Sequence, residues 1–360
     1  MTPYQSPYMA WAKTRRAARF DLAISNIPGC SIDDLPGAAR ELSLQGRNDN
    51  GYAPLLEAIA ARYGVGQRQV TTAQGASGAN FLVCAAMLER GDDVLVERPG
   101  YDPLLGAPRM LGANVVRFDR PFEDGYALDP ARVAAAFTPR TKLVIITSPH
   151  NPSSVLADAA ALLDVGRLAA ANGAHVVVDE VYLDAADAAV PTAATCGDEF
   201  IVTSSLTKSY GLAALRCGWV LSSEQVATRL RRARDIVDGT GSIVAERLGV
   251  LAFSHLVSLE TRAHTLLARN MALLQSFLAT RQDLECVVPR CGTVVFPRVA
   301  GLASTTRFTE RLFSERETAV VPGHFFDAPA HMRIGVSAAT ETLEAGLAHL
   351  AAALDARDQG

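Results

Sequence analysis

The most informative stretch of the sequence is Ser205-Leu206-Thr207-Lys208-Ser209-Tyr210-Gly211-Leu212, followed by Arg216-Cys217-Gly218-Trp219. It comes directly after Phe200-Ile201-Val202-Thr203, an apolar run that is typical of a buried strand. Most lysines lie in solvated loops, so a lysine at the end of a buried strand among hydroxyl groups is unusual. Burial lowers a lysine pKa, and the neutral amine that results is the form that makes an imine. We therefore predict a reactive amine at Lys208.

Two residues near Lys208 are suited to bind an anion. Ser205 offers a hydroxyl group and Arg216 a guanidinium group, and both bind a phosphate dianion well. Lysine, hydroxyl and arginine together indicate a site for a ligand that carries an aldehyde and a phosphate.

Short apolar runs alternate with helical stretches on both sides of this segment. The strand-like runs are residues 94–96, 114–118, 143–147, 175–178, 200–203 and 218–221. Continuous β-branched runs fit strands that are buried on both faces, and interleaved helices favour a mostly parallel sheet. The first part of the chain is therefore predicted to be an α/β domain with a central sheet flanked by helices.

The pattern changes after Glu224. We predict helices at 224–237, 242–280 and 304–316, strands at 294–296, 318–321 and 332–336, and a final helix. This indicates a smaller α+β C-terminal domain. The predicted division is an N-terminal arm at 1–45 that packs on the small domain or on a partner subunit, a large domain at 46–255 and a small domain at 256–360.

Composition excludes several classes of protein. The chain has 360 residues, is 49% hydrophobic and 20% charged, and carries a formal net charge of −4, so we expect no nucleic-acid or membrane partner. Its six cysteines form no C-x-x-C pair, which favours reduced core thiols and no metal site. Residues 1–20 are basic, which faintly resembles a transit peptide, but the favoured interpretation is an arm on a cytoplasmic enzyme.

The Lys208 segment resembles the lysine signature of fold-type I pyridoxal 5'-phosphate (PLP) enzymes, in the class I/II aminotransferase family. The spacing of Ser205, Lys208 and Arg216 agrees with that signature, while Cys217 replaces a usual aliphatic residue. The resemblance implies the PLP-transferase fold type I, with PLP as cofactor. It also implies that Lys208 holds the PLP as a Schiff base and that Ser205 and Arg216 bind its phosphate.

Other segments match the family in the same order along the chain. Gly75-Ala76-Ser77-Gly78 precedes an apolar helical run, and a helix start offers free N–H groups to an anion. The resemblance implies that Ala76 and Ser77 bind the phosphate and that Tyr101 stacks on the pyridine ring. It also implies that Asn151 donates a hydrogen bond to the ring oxygen. The Asn151-Pro152 turn continues with Ser153-Ser154 where the family usually has Thr-Gly.

Three more residues complete the predicted site. Asp179 follows a fully apolar run, so its carboxylate needs a buried cationic partner, and a protonated pyridine nitrogen would be one. The resemblance places Tyr182 on the ring oxygen beside Asn151. It also gives Arg333, which lies between apolar neighbours, to the substrate α-carboxylate, which a guanidinium binds through two hydrogen bonds. Lys208, Asp179 and Tyr182 are the predicted catalytic residues.

One departure from the family concerns the loop before Gly51. The family often has a tyrosine five residues before this glycine, which reaches the phosphate of the neighbouring subunit in a homodimer. This sequence has Gly46 there. Either Asn48, Asn50 or Tyr52 replaces the tyrosine, or the contact is lost. We still expect a homodimer, although the altered loop casts doubt on a standard transamination.

The favoured function is transfer of an amino group between an amino acid and a 2-oxo acid, with Lys208 as the acid–base catalyst. The same site could serve a lyase, a decarboxylase or a cyclase. A non-catalytic PLP-binding sensor is a third alternative. We do not favour it, because the resemblance begins about 46 residues into the sequence, too early for an upstream DNA-binding domain, and no basic recognition helix is evident. A nicotinamide dehydrogenase is set aside, since no G-x-G-x-x-G follows an early strand. The sequence does not identify the substrate side chain.

Overall fold

The computed structural model describes residues 5–186 and 190–357. The described strands are β1 (Phe20–Asp21), β2 (Val70–Gln74), β3 (Asp93–Arg98), β4 (Asn114–Asp119), β5 (Thr141–Thr147), β6 (His175–Asp179), β7 (Phe200–Ser205), β8 (Cys217–Leu221), β9 (Leu284–Glu285), β10 (Val294–Val295), β11 (Arg298–Val299), β12 (Thr318–Ala319), β13 (Val321–Pro322) and β14 (Met332–Gly335). The described helices are α1 (Pro7–Thr14), α2 (Ala38–Glu41), α3 (Ala53–Tyr63), α4 (Gly75–Met87), α5 (Asp102–Met110), α6 (Pro130–Ala136), α7 (Ala159–Ala171), α8 (Glu224–Val237), α9 (Ile243–Ser254), α10 (Leu256–Ala279), α11 (Thr306–Arg316) and α12 (Thr340–Arg357).

Seven strands form the central sheet, in the order β2-β8-β7-β6-β5-β3-β4. Strand β8 is antiparallel to both of its neighbours, whereas the other neighbouring pairs are parallel. The sheet is thus mostly parallel and flanked by helices, as the sequence predicted, and the α/β fold class is confirmed. Strand β2 was not predicted, because Val70-Thr71-Thr72-Ala73-Gln74 contains too few apolar residues to stand out.

Both faces of the sheet are buried, which is why the strands are apolar without interruption. Val144 and Val178 belong to the apolar cluster on one face, together with the fully buried Trp219. Ile145 and Val177, the alternate residues of the same strands, belong to the cluster on the other face. The alternation follows from the two-residue period of a strand.

The N-terminal segment packs against the C-terminal part of the chain. Strand β1 pairs in parallel with β12, and Leu22 lies in an apolar cluster with Leu343 and Leu347 of α12. Gly346 allows the close approach, since a Cβ atom there would lie 2.7 Å from Leu22 Cδ1. The domain boundaries at 45/46 and 255/256 stay predictions.

Two of the predicted elements are each divided in the structure. The helix predicted over 242–280 is two helices, α9 and α10, because the chain turns at His255. The strand predicted over 318–321 is two short strands on either side of Val320: β12 pairs with β1, and β13 pairs with β14. The chain therefore changes its pairing partner at Val320, from β1 before this residue to β14 after it.

The prediction of core thiols is wrong for most of the cysteines. All six are free, and only Cys84 and Cys217 are buried, where burial raises the pKa of each thiol to about 12. Cys196 is exposed, and the others are partly buried. Among the described residues, no helix is both long enough and apolar enough to cross a membrane.

Candidate active site

The residues predicted to form the site lie together around one cavity of about 480 Å³. It lies at the edge of the sheet where the parallel strands end, the usual place for a ligand in an α/β fold. Its wall includes every residue that the sequence analysis assigned to the site: Ala76, Ser77, Tyr101, Asn151, Asp179, Tyr182, Ser205, Lys208, Arg216 and Arg333. The structure therefore brings them together, while the role of each stays a prediction.

Lys208 follows β7, and its amine faces the cavity. Its Nζ donates a hydrogen bond to Ser25 Oγ at 3.1 Å, and the Tyr182 hydroxyl donates to the same oxygen at 2.8 Å. Burial lowers the pKa of Lys208 to about 8, so the amine loses its proton more readily than an ordinary lysine does. The backbone N–H of Ile27 also donates to the Lys208 carbonyl, so the N-terminal segment holds the lysine loop from outside the sheet.

Asp179 ends β6 and is buried. Its carboxylate accepts hydrogen bonds from Asn80 Nδ2 at 2.7 Å and from the backbone N–H of Val181 at 3.1 Å. Asn80 is held in turn by Thr203, whose hydroxyl donates to Asn80 Oδ1 at 2.7 Å. Burial raises the pKa of Asp179, although the Asn80 and Val181 hydrogen bonds and the Lys208 charge work in the opposite direction. A cation in the cavity would stabilise this carboxylate.

The opposite end of the cavity is suited to an anion. Ala76 and Ser77 stand in the first turn of α4, where the N–H groups and the helix dipole favour negative charge. Arg216 crosses over Gly75, where a Cβ atom would lie 2.3 Å from Arg216 Nη2. Gly218 is equally constrained, because its Cβ atom would lie 2.5 Å from the Gly75 carbonyl carbon. Gly75 thus makes room for the guanidinium beside the helix start, and Gly218 makes room for the backbone of Gly75.

Arg333 enters the cavity from β14 and is buried. Its Nη1 donates to Asn151 Oδ1 at 3.1 Å, and its Nη2 donates to the Tyr8 hydroxyl oxygen at 2.9 Å and the Ala23 carbonyl at 3.0 Å. The ring of Tyr8 also packs edge-on against Tyr101, with the ring centroids 5.6 Å apart. Helix α1 therefore covers this end of the cavity.

The loop that departs from the family is held by its own chain. Asn48 Nδ2 donates to the Gly241 carbonyl at 2.8 Å and to Glu246 Oε2 at 3.0 Å, and Asn50 Oδ1 accepts from Arg232 at 3.2 Å. A Cβ atom at Gly46 would lie 2.7 Å from Ile243 Cγ1, so a larger residue would have to displace that side chain.

Sequence reasoning missed Ser25, Asn80 and Tyr8, which all line the cavity. Asn80 did leave a signal: it is polar within the apolar run from Ala79 to Cys84, and it stands four residues after Ala76 on the same face of α4. Tyr8 and Ser25 left none, because they reach the cavity only through tertiary packing of the N-terminal segment.

The donor set fits PLP. The cavity has an amine with a lowered pKa at Lys208, a buried carboxylate suited to a pyridinium nitrogen at Asp179, and a cradle for a phosphate at Arg216 and the start of α4. Tyr101 offers a ring for stacking. Among the described residues, no group of three or more His, Cys, Asp or Glu side chains could hold a metal ion.

Comparison with known proteins agrees with this chemistry. Residues 22–353 match the model of the family described as "Aminotransferase class I and II". The chain is 31% identical to capreomycidine synthase of Streptomyces vinaceus, over 99% of this chain and 95% of the relative. A PLP-dependent aminotransferase from Streptococcus suis superposes with a TM-score of 0.93, at 26% identity and 99% coverage of both chains. The PLP-dependent cyclase OrfR gives a TM-score of 0.89, at 26% identity, over 99% of this chain and 98% of its own. The chain therefore belongs to the class I and II aminotransferase family, and its cofactor is PLP.

Proposed function

We propose that this enzyme acts on an α-amino acid that carries a leaving group on the carbon next to Cα and a nucleophilic group further along its side chain. Removal of the Cα proton expels the leaving group. The nucleophile then adds to the carbon that lost this group and closes the ring, while Cα regains a proton and the nucleophile loses one. The observation that carries the proposal is the 31% identity with capreomycidine synthase over 99% of this chain. The similarity to the cyclase OrfR over almost the whole chain supports it. Both proteins bear names that describe synthesis or ring closure.

The site residues would divide the work as follows. Arg333 would bind the α-carboxylate, with Asn151 fixing the guanidinium on its other side. PLP, when bound, supplies an electron sink for the bonds at Cα. Asp179 would keep the pyridine nitrogen protonated through its negative charge. Lys208 would take the proton from Cα, since a pKa of about 8 suits a general base near neutral pH.

Amino-group transfer, the function that the sequence analysis favoured, is the second candidate. The family as a whole and the aminotransferase from Streptococcus suis support it. The loop at Gly46 favours ring formation instead, because the family's tyrosine has no equivalent there and Ile243 occupies the space for a side chain. Both candidates share the first step, the removal of the Cα proton.

Two isotope measurements test the proposal. Incubation of the holoenzyme with amino acids in ²H₂O should place deuterium at Cα of a substrate under either candidate. With a ¹⁵N-labelled substrate and a 2-oxo acid present, ring formation keeps ¹⁵N in the product, whereas amino-group transfer moves it to the 2-oxo acid. Transfer of ¹⁵N would refute the ring-forming proposal. Failure to exchange deuterium into any amino acid tested would favour a PLP-binding sensor.

We also propose that the active unit is a homodimer. Leu44 and Ile236 support this, because their side chains are 87% and 89% exposed in the single chain. Leu44 stands two residues before the loop at 46–52, which the family resemblance places at a subunit interface. A large apolar side chain at such a position is stabilised when a partner covers it.

A further inference from the structure

A buried ion pair lies behind the cavity. Arg120 Nη1 is 2.6 Å from Glu97 Oε2, and both side chains have no solvent exposure. Glu97 belongs to β3, and Arg120 directly follows β4. Burying two charges costs free energy that a well-packed apolar pair would avoid. The geometry around the pair indicates what the charges do.

The second oxygen of Glu97 fixes the end of the neighbouring strand. Glu97 Oε1 accepts hydrogen bonds from the Thr147 backbone N–H at 2.8 Å and from the Thr147 hydroxyl at 2.5 Å. Thr147 is the last residue of β5, and it lines the cavity, whereas Glu97 and Arg120 lie behind the cavity wall. Because a hydroxyl has only one hydrogen, Glu97 determines where the lone pairs of Thr147 Oγ1 point.

Those lone pairs face the turn that presents Asn151. The backbone N–H of Asn151 donates to Thr147 Oγ1 at 2.8 Å, and Asn151 Oδ1 accepts from Arg333 at 3.1 Å. Hydrogen bonds thus run without a break from Arg120 through Glu97, Thr147 and Asn151 to Arg333. Each of these five residues is at most 3% exposed, so the hydrogen bonds are largely shielded from bulk water.

We propose that Glu97, held in place by Arg120, is a positioning residue that sets the orientation of Asn151 and Arg333 through the Thr147 hydroxyl. This rests on the proposed function in one respect: Arg333 is taken to bind the substrate α-carboxylate. Glu97 touches neither substrate nor cofactor. Its effect reaches the site only through Thr147, so the contributions of Glu97 and Thr147 should not be independent.

The test compares two paired substitutions in the holoenzyme. The first, Glu97→Leu with Arg120→Met, removes the buried pair without leaving a charge unpaired. The matched control, Asp119→Leu with Arg98→Met, removes the adjacent, partly exposed pair of the same two strands, in which Arg98 Nε lies 2.6 Å from Asp119 Oδ1. Two further variants are Thr147→Val alone and a combined variant that carries Thr147→Val, Glu97→Leu and Arg120→Met. The probe is 2-methylalanine, which has an α-carboxylate and no Cα hydrogen.

Two quantities are measured: the dissociation constant of 2-methylalanine, from the visible absorbance, and amide hydrogen exchange of the peptide 147–155. We expect Glu97→Leu/Arg120→Met and Thr147→Val each to weaken binding about tenfold and to speed exchange at the Asn151 amide. The combined variant should also bind 2-methylalanine about tenfold more weakly than the wild type, and not a hundredfold more weakly, because both changes break the same series of hydrogen bonds. The control pair should behave as the wild type does.

Several outcomes would overturn the proposal. One is that Glu97→Leu/Arg120→Met binds 2-methylalanine and exchanges its amide hydrogens as the wild type does. Another is that the combined variant loses a hundredfold in affinity for 2-methylalanine. If the Glu97→Leu/Arg120→Met variant does not fold, Thr147→Val provides the test by itself. Unchanged hydrogen exchange of the peptide 147–155 in that variant would refute the proposed hydrogen-bond path. Hydrogen exchange needs no reaction. If the wild type processed no amino acid, the proposed function would therefore fail while this comparison remained valid.

Discussion

Arg333 Nη2 lies 2.9 Å from the hydroxyl oxygen of Tyr8, so a residue of the first helix contacts the predicted carboxylate-binding residue in the last strand. The Tyr8 oxygen accepts this hydrogen bond and keeps its own hydrogen for a ligand in the cavity. Tyr8→Phe should therefore raise KM for an amino-acid substrate roughly three- to tenfold and change kcat little. Steady-state kinetics with the substrate found by deuterium exchange would measure this. An unchanged KM would show that Tyr8 only packs against its neighbours.

Replacement of Arg333 should reduce activity toward amino acids more than replacement of Tyr8 does. Arg333→Ala removes a charged contact with the carboxylate, and we expect a loss of about 2–4 kcal/mol in kcat/KM. PLP should stay bound, so the variant should remain yellow but respond poorly to amino acids. Arg311→Ala is a suitable control, because Arg311 forms an exposed pair with Glu315 on α11. Full activity toward amino acids in Arg333→Ala would contradict the assigned role.

Lys208 should be the residue that borohydride links to the cofactor. The chain has only three lysines, and Lys13 and Lys142 are both exposed, so peptide mapping has a clear result. Treatment of the holoenzyme should leave the tag on the peptide that contains Lys208. A tag on either of the other two lysines would refute the assignment.

The pH dependence of the reactivity of the Lys208 amine can be measured after PLP has been removed. Because burial lowers its pKa to about 8, the amine loses its proton at lower pH than an unperturbed lysine, which titrates near 10.4. The rate of reductive methylation at Lys208 should rise with pH and level off above about pH 8. Mass spectrometry of the same digests gives Lys142 as the exposed comparison. A rate at Lys208 that keeps rising to pH 10 would contradict the lowered pKa.

Asp179→Asn tests whether the cofactor serves as an electron sink. The change is nearly isosteric and removes the charge that would keep the pyridine nitrogen protonated. Deuterium exchange at Cα should slow by at least about a thousandfold, because a buried charged contact contributes several kcal/mol and each 1.36 kcal/mol is about tenfold. The cofactor should still be bound, since Lys208 and Arg216 are unchanged.

Glu180→Gln is the matched control for that measurement. Glu180 is buried next to Asp179, but it accepts hydrogen bonds from the Thr192 hydroxyl and the Ala193 N–H instead of facing the cavity. Burial raises its pKa to about 8. Its replacement leaves the Asp179 charge unchanged, so the exchange rate should change little. Exchange at the wild-type rate in Asp179→Asn would rule out the assigned role of Asp179.

Leu44 provides a test of the homodimer. Leu44→Asp places a charge where we expect a partner to cover an apolar side chain, and it should shift the dimer toward monomers. Light scattering across a range of protein concentrations would measure the shift, with the equally polar substitution Val257→Asp, at an exposed position of α10, as a comparison. A wild type that is monomeric and fully active would refute the proposal.

The sequence predicted the sheet and the cofactor chemistry because both leave local signals. Asp179 ends an apolar strand, and Lys208 and Asn151 lie within four residues of the ends of two others. Their position at one edge of the sheet could therefore be inferred from the order of residues alone. Tyr8 and Ser25 could not be inferred this way. They reach the cavity because the segment from Tyr8 to Ile27 folds back over it, and that path depends on packing against residues more than 150 positions away.

The tight packing around Arg216 has an evolutionary consequence. Gly75 leaves room for its guanidinium and Gly218 leaves room for the backbone of Gly75, so a methyl group at either position would overlap with a neighbouring atom. Arg216 therefore constrains both glycines as long as it is present, and the φ of +69° at Gly75 favours glycine there in any case. Homologous sequences that keep Arg216 should therefore keep both glycines as well.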